Sequence, residues 1–479
     1  MTIKFFKQAL FLMTIAGMAF LNSCTKDDPK LPENLVAFES DALGTPASET
    51  EVVININSLR SISTAASVSI KMEPSGVAYT TDFTTEPAAA ANVVTIDVPA
   101  NTTSTSLKVK KTAGALFDGD EKIKFTIETL GTGLSLGEKS VLTLSFSEIV
   151  SAGGTMEING GGALFPNKVF IDLSGNRQTS VSRTSWDLAF SSTDDFRVVL
   201  NSPNGMMAYK LTGRTDLSTV TAADISSFVD QLSVPAVFTA ANTSPNPAWL
   251  SGSIAWIDDP SGDLTKTAMA PVSVTASENV VYIINRGQGP GNPPTELGLK
   301  KIRILRNGSN YTIQYANIDD VNFQTATITK DPAYRFNYFS FTSGNTLVAE
   351  PLPKKWDIAW TGFTNSANIG YPIPYYFQDF VLQNTQAQVT ALLLSTATIT
   401  YENFTEANLT GLTLLAPQTT IGSTWRTLAP PPAVATVRSD RYYIVKDPDG
   451  NIYKLRFTAI ITSGERGKPQ FEFKLLKKA

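Results

Sequence analysis

The sequence predicts an all-β protein in which an N-terminal immunoglobulin-like β-sandwich is followed by two tandem β units. Three observations lead there. Short runs place an apolar side chain at every second position, as in Glu51-Val-Val-Ile-Asn-Ile-Asn57, Ser67-Val-Ser-Ile-Lys71 and Lys122-Ile-Lys-Phe-Thr-Ile-Glu128. That period turns one face of a strand inward. Clusters of Gly, Pro, Asn and Asp separate the runs. A set of aromatic and charged landmarks also occurs twice, in the same order, in the last two thirds of the chain. Helical periodicity is scarce; Thr221 to Leu232, with Thr221 as cap, is the one short helix expected.

Length and composition set the frame. A chain of 479 residues is long enough for two to four domains. Its 42% hydrophobic and 10% aromatic content is that of a folded protein, and 17% charged residues is low against roughly 25% on average. The net charge is −4. Without basic clusters such a chain is a poor ligand for phosphate backbones, so no nucleic-acid partner is expected. There is no His and a single Cys. The first absence removes the usual acid–base and metal-binding side chain at neutral pH. The second excludes an intrachain disulfide and a cysteine zinc site. No nucleophile elbow, phosphate loop or zinc motif is present, so no catalytic and no metal residues are assigned and no enzyme activity is expected. A polysaccharide hydrolase would need two carboxylates facing a cleft, and the sequence gives no way to pair them.

Residues 1–23 read as an export signal. Lys4 and Lys7 supply the charged start, and Ala9 to Phe20 is an apolar core too short to span a membrane. It ends in Leu21-Asn22-Ser23-Cys24, which resembles the lipobox of bacterial lipoproteins. The resemblance implies that Cys24 is acylated and becomes the mature N-terminus, lodged in outer-membrane lipid; several acyl chains on one residue anchor stably. Removing residues 1–23 leaves 37 basic against 43 acidic side chains, a net −6. Residues 24–35, with Lys26-Asp27-Asp28 and two prolines, form a tether; a Lys followed by acids here resembles a signal for display at the cell surface.

Residues 36–150 form the first folded unit. Ala78-Tyr-Thr-Thr-Asp-Phe-Thr84, Val98-Pro-Ala-Asn-Thr-Thr-Ser-Thr-Ser-Leu107 and Phe117-Asp-Gly-Asp-Glu-Lys-Ile-Lys-Phe-Thr-Ile127 resemble the strand and edge patterns of Calx-β sandwiches. Some members of that family bind calcium at these turns, which makes Asp82, Asp118, Asp120 and Glu121 candidate oxygen ligands. Turn and cap roles are the competing reading.

The repeat occupies the rest, as units at 151–325 and 326–479. Trp186-Asp-Leu-Ala-Phe190 recurs as Trp356-Asp-Ile-Ala-Trp360, Trp256 as Trp425, Tyr282-Ile-Ile284 as Tyr443-Ile-Val445, and Lys301-Ile-Arg-Ile304 as Lys454-Leu-Arg-Phe457. In each unit a strand pair precedes the Trp-Asp strand (Lys168 to Leu173, Asn337 to Phe341), and a hairpin closes the unit. The Trp-Asp strand, Val199-Leu-Asn201, and the ending from Arg441-Tyr-Tyr-Ile-Val-Lys-Asp-Pro-Asp-Gly-Asn-Ile-Tyr-Lys-Leu-Arg-Phe457 to Gln470-Phe-Glu-Phe-Lys-Leu475 resemble the HmuY-like family of bacterial haem-binding lipoproteins. The resemblance implies two tandem HmuY-like β domains, a place on the cell surface, and haem as the cofactor class. In the founding members two His ligate the iron, and here there is none to carry over.

Met can replace His as an axial ligand, and Met206 and Met207 fall where the family builds its pocket. Adjacent strand residues point to opposite faces, so one of them at most meets a ligand, with Met156 or Met269 as partner. Packing is the alternative role for all of these methionines. The second unit offers Tyr371, Tyr375 and Tyr376 in an aromatic loop suited to iron, a flat hydrophobic ligand or a glycan, or else to packing on its neighbour. Asp187 and Asp357, on the two Trp-Asp strands, are read as polar groups bonded to local backbone rather than as catalysts. The function expected is a surface-anchored ligand-binding module. The alternative is a structural, adhesion or assembly lipoprotein whose HmuY-like units no longer bind haem.

Overall fold

The computed structural model describes residues 33–45, 49–115, 121–147, 150–427, 435–462 and 464–479. Cys24, Asp118 and Asp120 lie outside them. Among the described residues no helix is long and apolar enough to cross a membrane.

The alternating runs become strands, as expected. Val52, Ile54 and Ile56 of strand Glu51–Ser58, Val68, Ile70 and Met72 of Ala66–Ser75, and Ile123, Phe125 and Ile127 of Lys122–Leu130 all turn into one core. Each such side chain contributes about 1.5–3 kcal/mol of burial. Two five-stranded sheets enclose this core. One runs Phe83–Glu86, Ser104–Lys111, Glu51–Ser58, Leu35–Phe38, Ser135–Leu136. The other runs Ala42–Gly44, Val141–Ser145, Lys122–Leu130, Ala66–Ser75, Val93–Val98. Asp82 serves its turn: its carboxylate accepts the N–H of Ala78 at 2.8 Å.

The remaining chain builds two further sandwiches that do not follow the sequence repeat. One is continuous in sequence. Its five-stranded sheet runs Met207–Lys210, Tyr282–Asn285, Leu299–Asn307, Asn310–Ala316, Gln324–Ile328. Its four-stranded sheet runs Val198–Leu200, Leu188–Ser191, Phe336–Ser340, Asn345–Leu347. The other is split. Its five-stranded sheet runs Gly153–Glu157, Gln470–Lys477, Ile452–Ala459, Arg441–Lys446, Thr390–Ser395. Its four-stranded sheet runs Arg177–Ser182, Asn167–Asp172, Ile358–Asn368, Pro372–Gln383.

Strand for strand the two are equivalent, and the equivalence exposes an exchange. The first three strands of each repeat, here called its arm, complete the sandwich of the other repeat. The arm Gly153–Ser182 pairs with strands Gln470–Lys477 and Ile358–Asn368. The arm Gln324–Leu347 pairs with Asn310–Ala316 and Leu188–Ser191. The units expected at 151–325 and 326–479 are corrected in this respect: neither closes on its own arm.

The Trp-Asp strands show how each arm is held. Leu188 and Phe190 point into the continuous core, while Ile358 and Trp360 point into the split one. Ala189 with Trp186, and Ala359 with Trp356, face outward on the opposite sides of their sheets. Each Asp then grips the incoming arm. Asp187 accepts the N–H of Phe341 at 2.7 Å, and Asp357 accepts that of Leu173 at 2.7 Å. Each of the equivalent lysines is also buried on backbone carbonyls: Lys301 donates to Val220, and Lys454 to Phe404.

Two expectations shift. The helix at 221–232 is shorter: Thr221 caps an α-helix at Ala222–Ile225, and a 3-10 turn follows at Val229–Gln231. A second helix, Val234–Ala241, was not expected, because its Val-Pro start and run of alanines carry little amphipathic signal. Trp256 also departs from its counterpart. Trp425 is buried in the split core, stacked on Phe457 at 4.2 Å, whereas Trp256 ends a 3-10 segment and stacks on Trp249. The 211–281 insertion carries Trp256 away from the sandwich.

Candidate functional site

The 3-10 turn Ser202–Asn204 follows the first Trp-Asp strand and ends at Gly205, in the left-handed conformation. Strands Ile358–Asn368 and Pro372–Gln383 of the split sandwich hold this turn from across the junction. Tyr376 donates its hydroxyl to the Pro203 carbonyl at 2.9 Å, and Thr364 donates to that of Ser202 at 3.0 Å. The pairing of these two strands is irregular between Thr361 and Phe363, and Asp379 takes a positive φ of 51°. Such a bulge re-aims side chains. Both Tyr375 and Tyr376 line one cleft.

The cleft lies between the two sandwiches and encloses about 450 Å³, within the range of small-molecule sites. Leu164, Phe165, Tyr375 and Tyr376 line it from the split sandwich; Val234 and Phe238 line it from the inserted helix. Phe238 is 51% exposed at this wall and packs against Tyr375 with ring centroids 5.9 Å apart. The loop Gly287–Gly291 forms a lip. Gly287 has φ 74°, and a Cβ there would stand 1.9 Å from the Asn204 carbonyl oxygen, so only glycine lets the lip approach.

One buried cation organises the polar end. Arg183 is 6% exposed. Its Nε donates to the Phe165 carbonyl at 2.9 Å, and its Nη1 to the Asn204 side-chain oxygen at 2.8 Å and to the Gln288 carbonyl at 2.6 Å. It thereby ties together three segments of the wall. Burial lowers its pKa from the usual guanidinium value. The Tyr376 phenol is pushed up, first by burial. With its hydroxyl donated to Pro203, it stays a neutral phenol rather than an iron-binding phenolate.

The expected ligand residues divide. Tyr375 and Tyr376 line the cleft, while Tyr371 packs at the edge of the helical cluster beside it. Met206 and Met207 point to opposite sides, as adjacent strand residues must, but each enters a packed core. Met206 is 1% exposed in the continuous core and Met207 is 0% exposed under the inserted helices. The turn equivalent to 202–204 is Thr385–Ala387, which aligns Met206 with Val389, a core residue of the split sandwich. The placement of Met206 and Met207 as ligands is therefore corrected: a thioether without an exposed face reaches no iron. Met156 and Met269 are core residues too.

Arg183, Asn204, Val234 and Phe238 were missed. The repeat itself held the signal for two of them. The Asn201 amide donates to the Arg183 carbonyl, and the Asn384 amide to that of Pro353, so Arg183 aligns with Pro353 and Asn204 with Ala387. Polar groups at the cleft stand where the other unit has apolar ones.

A family model described as HmuY protein matches residues 165–303 and again 296–473. Together these matches span well over half of the chain. The chain belongs to the HmuY family. No curated protein matches it. Solved structures similar to parts of it include the apo form of the Calx CBD1 domain (16% identity over 24% of this chain and 97% of that one, TM-score 0.21). A two-domain protein of unknown function from Bacteroides fragilis matches at 10% identity over 40% and 74%, TM-score 0.19. The Pseudomonas aeruginosa CupB2 chaperone matches at 14% over 30% and 80%, TM-score 0.16. Among the described residues of this HmuY protein, no group of three acidic or cysteine side chains is placed to hold a metal ion.

Proposed function

We propose that this HmuY-family chain is a surface lipoprotein, anchored through an acyl group on Cys24, that holds a flat, largely apolar ligand in the cleft between its two sandwiches. The observation that carries the reading is the cleft: about 450 Å³ walled by Phe165, Phe238, Tyr375 and Tyr376. Aromatic walls favour a planar guest through offset and edge contacts worth about 0.5–1.5 kcal/mol each beyond area burial. A haem-sized tetrapyrrole is one such guest. The packed methionines and the neutral Tyr376 phenol point to binding by stacking and burial rather than by iron ligation.

The test is a titration of the purified soluble protein with haemin and with iron-free protoporphyrin IX, followed by absorbance and tryptophan quenching. The reading expects the two to bind with similar affinity. Phe238→Ala weakens both, and Met206→Leu leaves the spectra unchanged. Binding of neither overturns the reading and favours the assembly or adhesion role. Binding of haemin alone, with a spectrum that depends on a methionine, overturns ligation-free binding.

A further inference from the structure

We propose that the polar end of the cleft is a carboxylate subsite, formed by Arg183 and positioned by Asn204, so that the guest is an apolar ring body carrying an acid group. The inference deepens the binding role proposed above and rests on it.

Arg183 is an uncompensated buried cation. Among the described residues no carboxylate lies within ion-pair distance of it, and its partners there are three carbonyl oxygens of Phe165, Pro203 and Gln288 and one amide oxygen, that of Asn204. A buried charge is normally paired. Carbonyl dipoles hold a guanidinium in place without cancelling its charge. The Nη2 group donates to nothing among the described residues, while Nε and Nη1 are both taken, which leaves the two N–H groups of Nη2 for an incoming acceptor. A hydrogen bond from a guanidinium to a carboxylate is charge-assisted, roughly twice as strong as one between neutral groups.

Asn204 fixes how the guanidinium lies. It is 3% exposed, and its Nδ2 has no partner. Its orientation is not free: a guanidinium only donates, so the amide oxygen must face Arg183 and the NH2 must face away. A buried donor without a partner costs about 1–3 kcal/mol, a cost that Asn204 bears in holding the guanidinium at the cleft. Arg183 thus offers a charged donor at one end of the cavity. The acid on the lip does not occupy it: Glu296 is exposed and accepts a hydrogen bond from Gln288 at 2.6 Å. The second repeat carries Pro353 and Ala387 at these two positions, so the subsite belongs to one unit only.

The experiment compares two fluorescent probes with the same flat body, 1-pyrenebutyric acid and 1-pyrenebutanol. The wild-type protein is expected to bind the acid at least about ten-fold more tightly than the alcohol, the range of a charge-assisted hydrogen bond. Asn204→Asp retains an acceptor for Arg183 but neutralises the guanidinium. It should cost the acid about ten-fold while the alcohol changes less than about two-fold. Asn204→Ala, which the second unit carries in the same turn, removes the acceptor that holds the guanidinium and should weaken the acid alone, with circular dichroism checking that the variant is folded. Equal binding of both probes, unchanged in both variants, overturns the subsite and leaves the cleft standing. Binding of neither probe overturns the subsite together with the reading beneath it.

Discussion

Asp187 and Asp357 hold the same place in the repeat and differ in charge environment. Asp187 is 1% exposed and meets Arg286 in two contacts, Nε to Oδ1 at 2.8 Å and Nη2 to Oδ2 at 3.1 Å. Asp357 has Asp447 where Asp187 has Arg286, because Arg286 and Asp447 follow their equivalent strands at the same step. Burial, and then the nearby Asp172, push the Asp357 carboxyl well above the usual carboxylate range, which favours its neutral form. The two substitutions to Asn are therefore unequal. Asp187→Asn strands a mostly buried guanidinium and should lower stability by about 3–5 kcal/mol. Asp357→Asn replaces one neutral acceptor by another and should cost less than about 1 kcal/mol. Denaturant unfolding of the two variants checks this, and equal losses would refute the assigned charge states.

At the scale of elements, the exchanged arms decide which pieces of the chain are autonomous. Residues 183–350 contain every strand of the continuous sandwich and both halves of its core. Residues 151–325, although they form one repeat of the sequence, leave Leu188–Ser191 without its partner Phe336–Ser340 and carry the arm Gly153–Ser182 with nothing to complete. The first fragment should be a monomer with cooperative unfolding. The second should self-associate through bare strand edges, a contrast that size-exclusion chromatography resolves. Much of this was legible in the sequence. The period-two runs, the Trp-Asp strands and the buried Lys301 and Lys454 all announced themselves, because burial on one face leaves a local pattern. The exchange left none. An arm placed beside its own repeat and one placed beside the other need the same apolar alternation, and only the three-dimensional path chooses. The cleft was half legible for the same reason. Tyr375 and Tyr376 stood out as an aromatic cluster, whereas Arg183 and Phe238 gain their role from segments far away in the chain.

At the scale of the whole molecule, three sandwiches follow an N-terminal segment that ends in Cys24. Polar contacts tie the first sandwich to the split one. Lys468 donates to the Leu59 carbonyl and Lys139 to that of Thr155, both at 3.3 Å, and Glu49 stands 3.5 Å from Arg177 and 3.6 Å from Lys355. Partly exposed ion pairs of this kind are worth about 1 kcal/mol or less. The exchanged pair behaves differently. Each of its sandwiches needs strands from both repeats, and the cleft takes walls from both. A guest therefore meets a surface that exists only when the two sandwiches are assembled, which makes the cleft the claim to test. The direct measurement introduces a single reactive thiol at the cleft in a soluble form lacking residues 1–24. Phe238→Cys is labelled with a bulky maleimide and titrated with protoporphyrin IX, beside Val274→Cys, a site 80% exposed and away from the cleft lining. The account predicts that the plug at 238 abolishes binding and the label at 274 does not; undiminished binding to the plugged protein would contradict it.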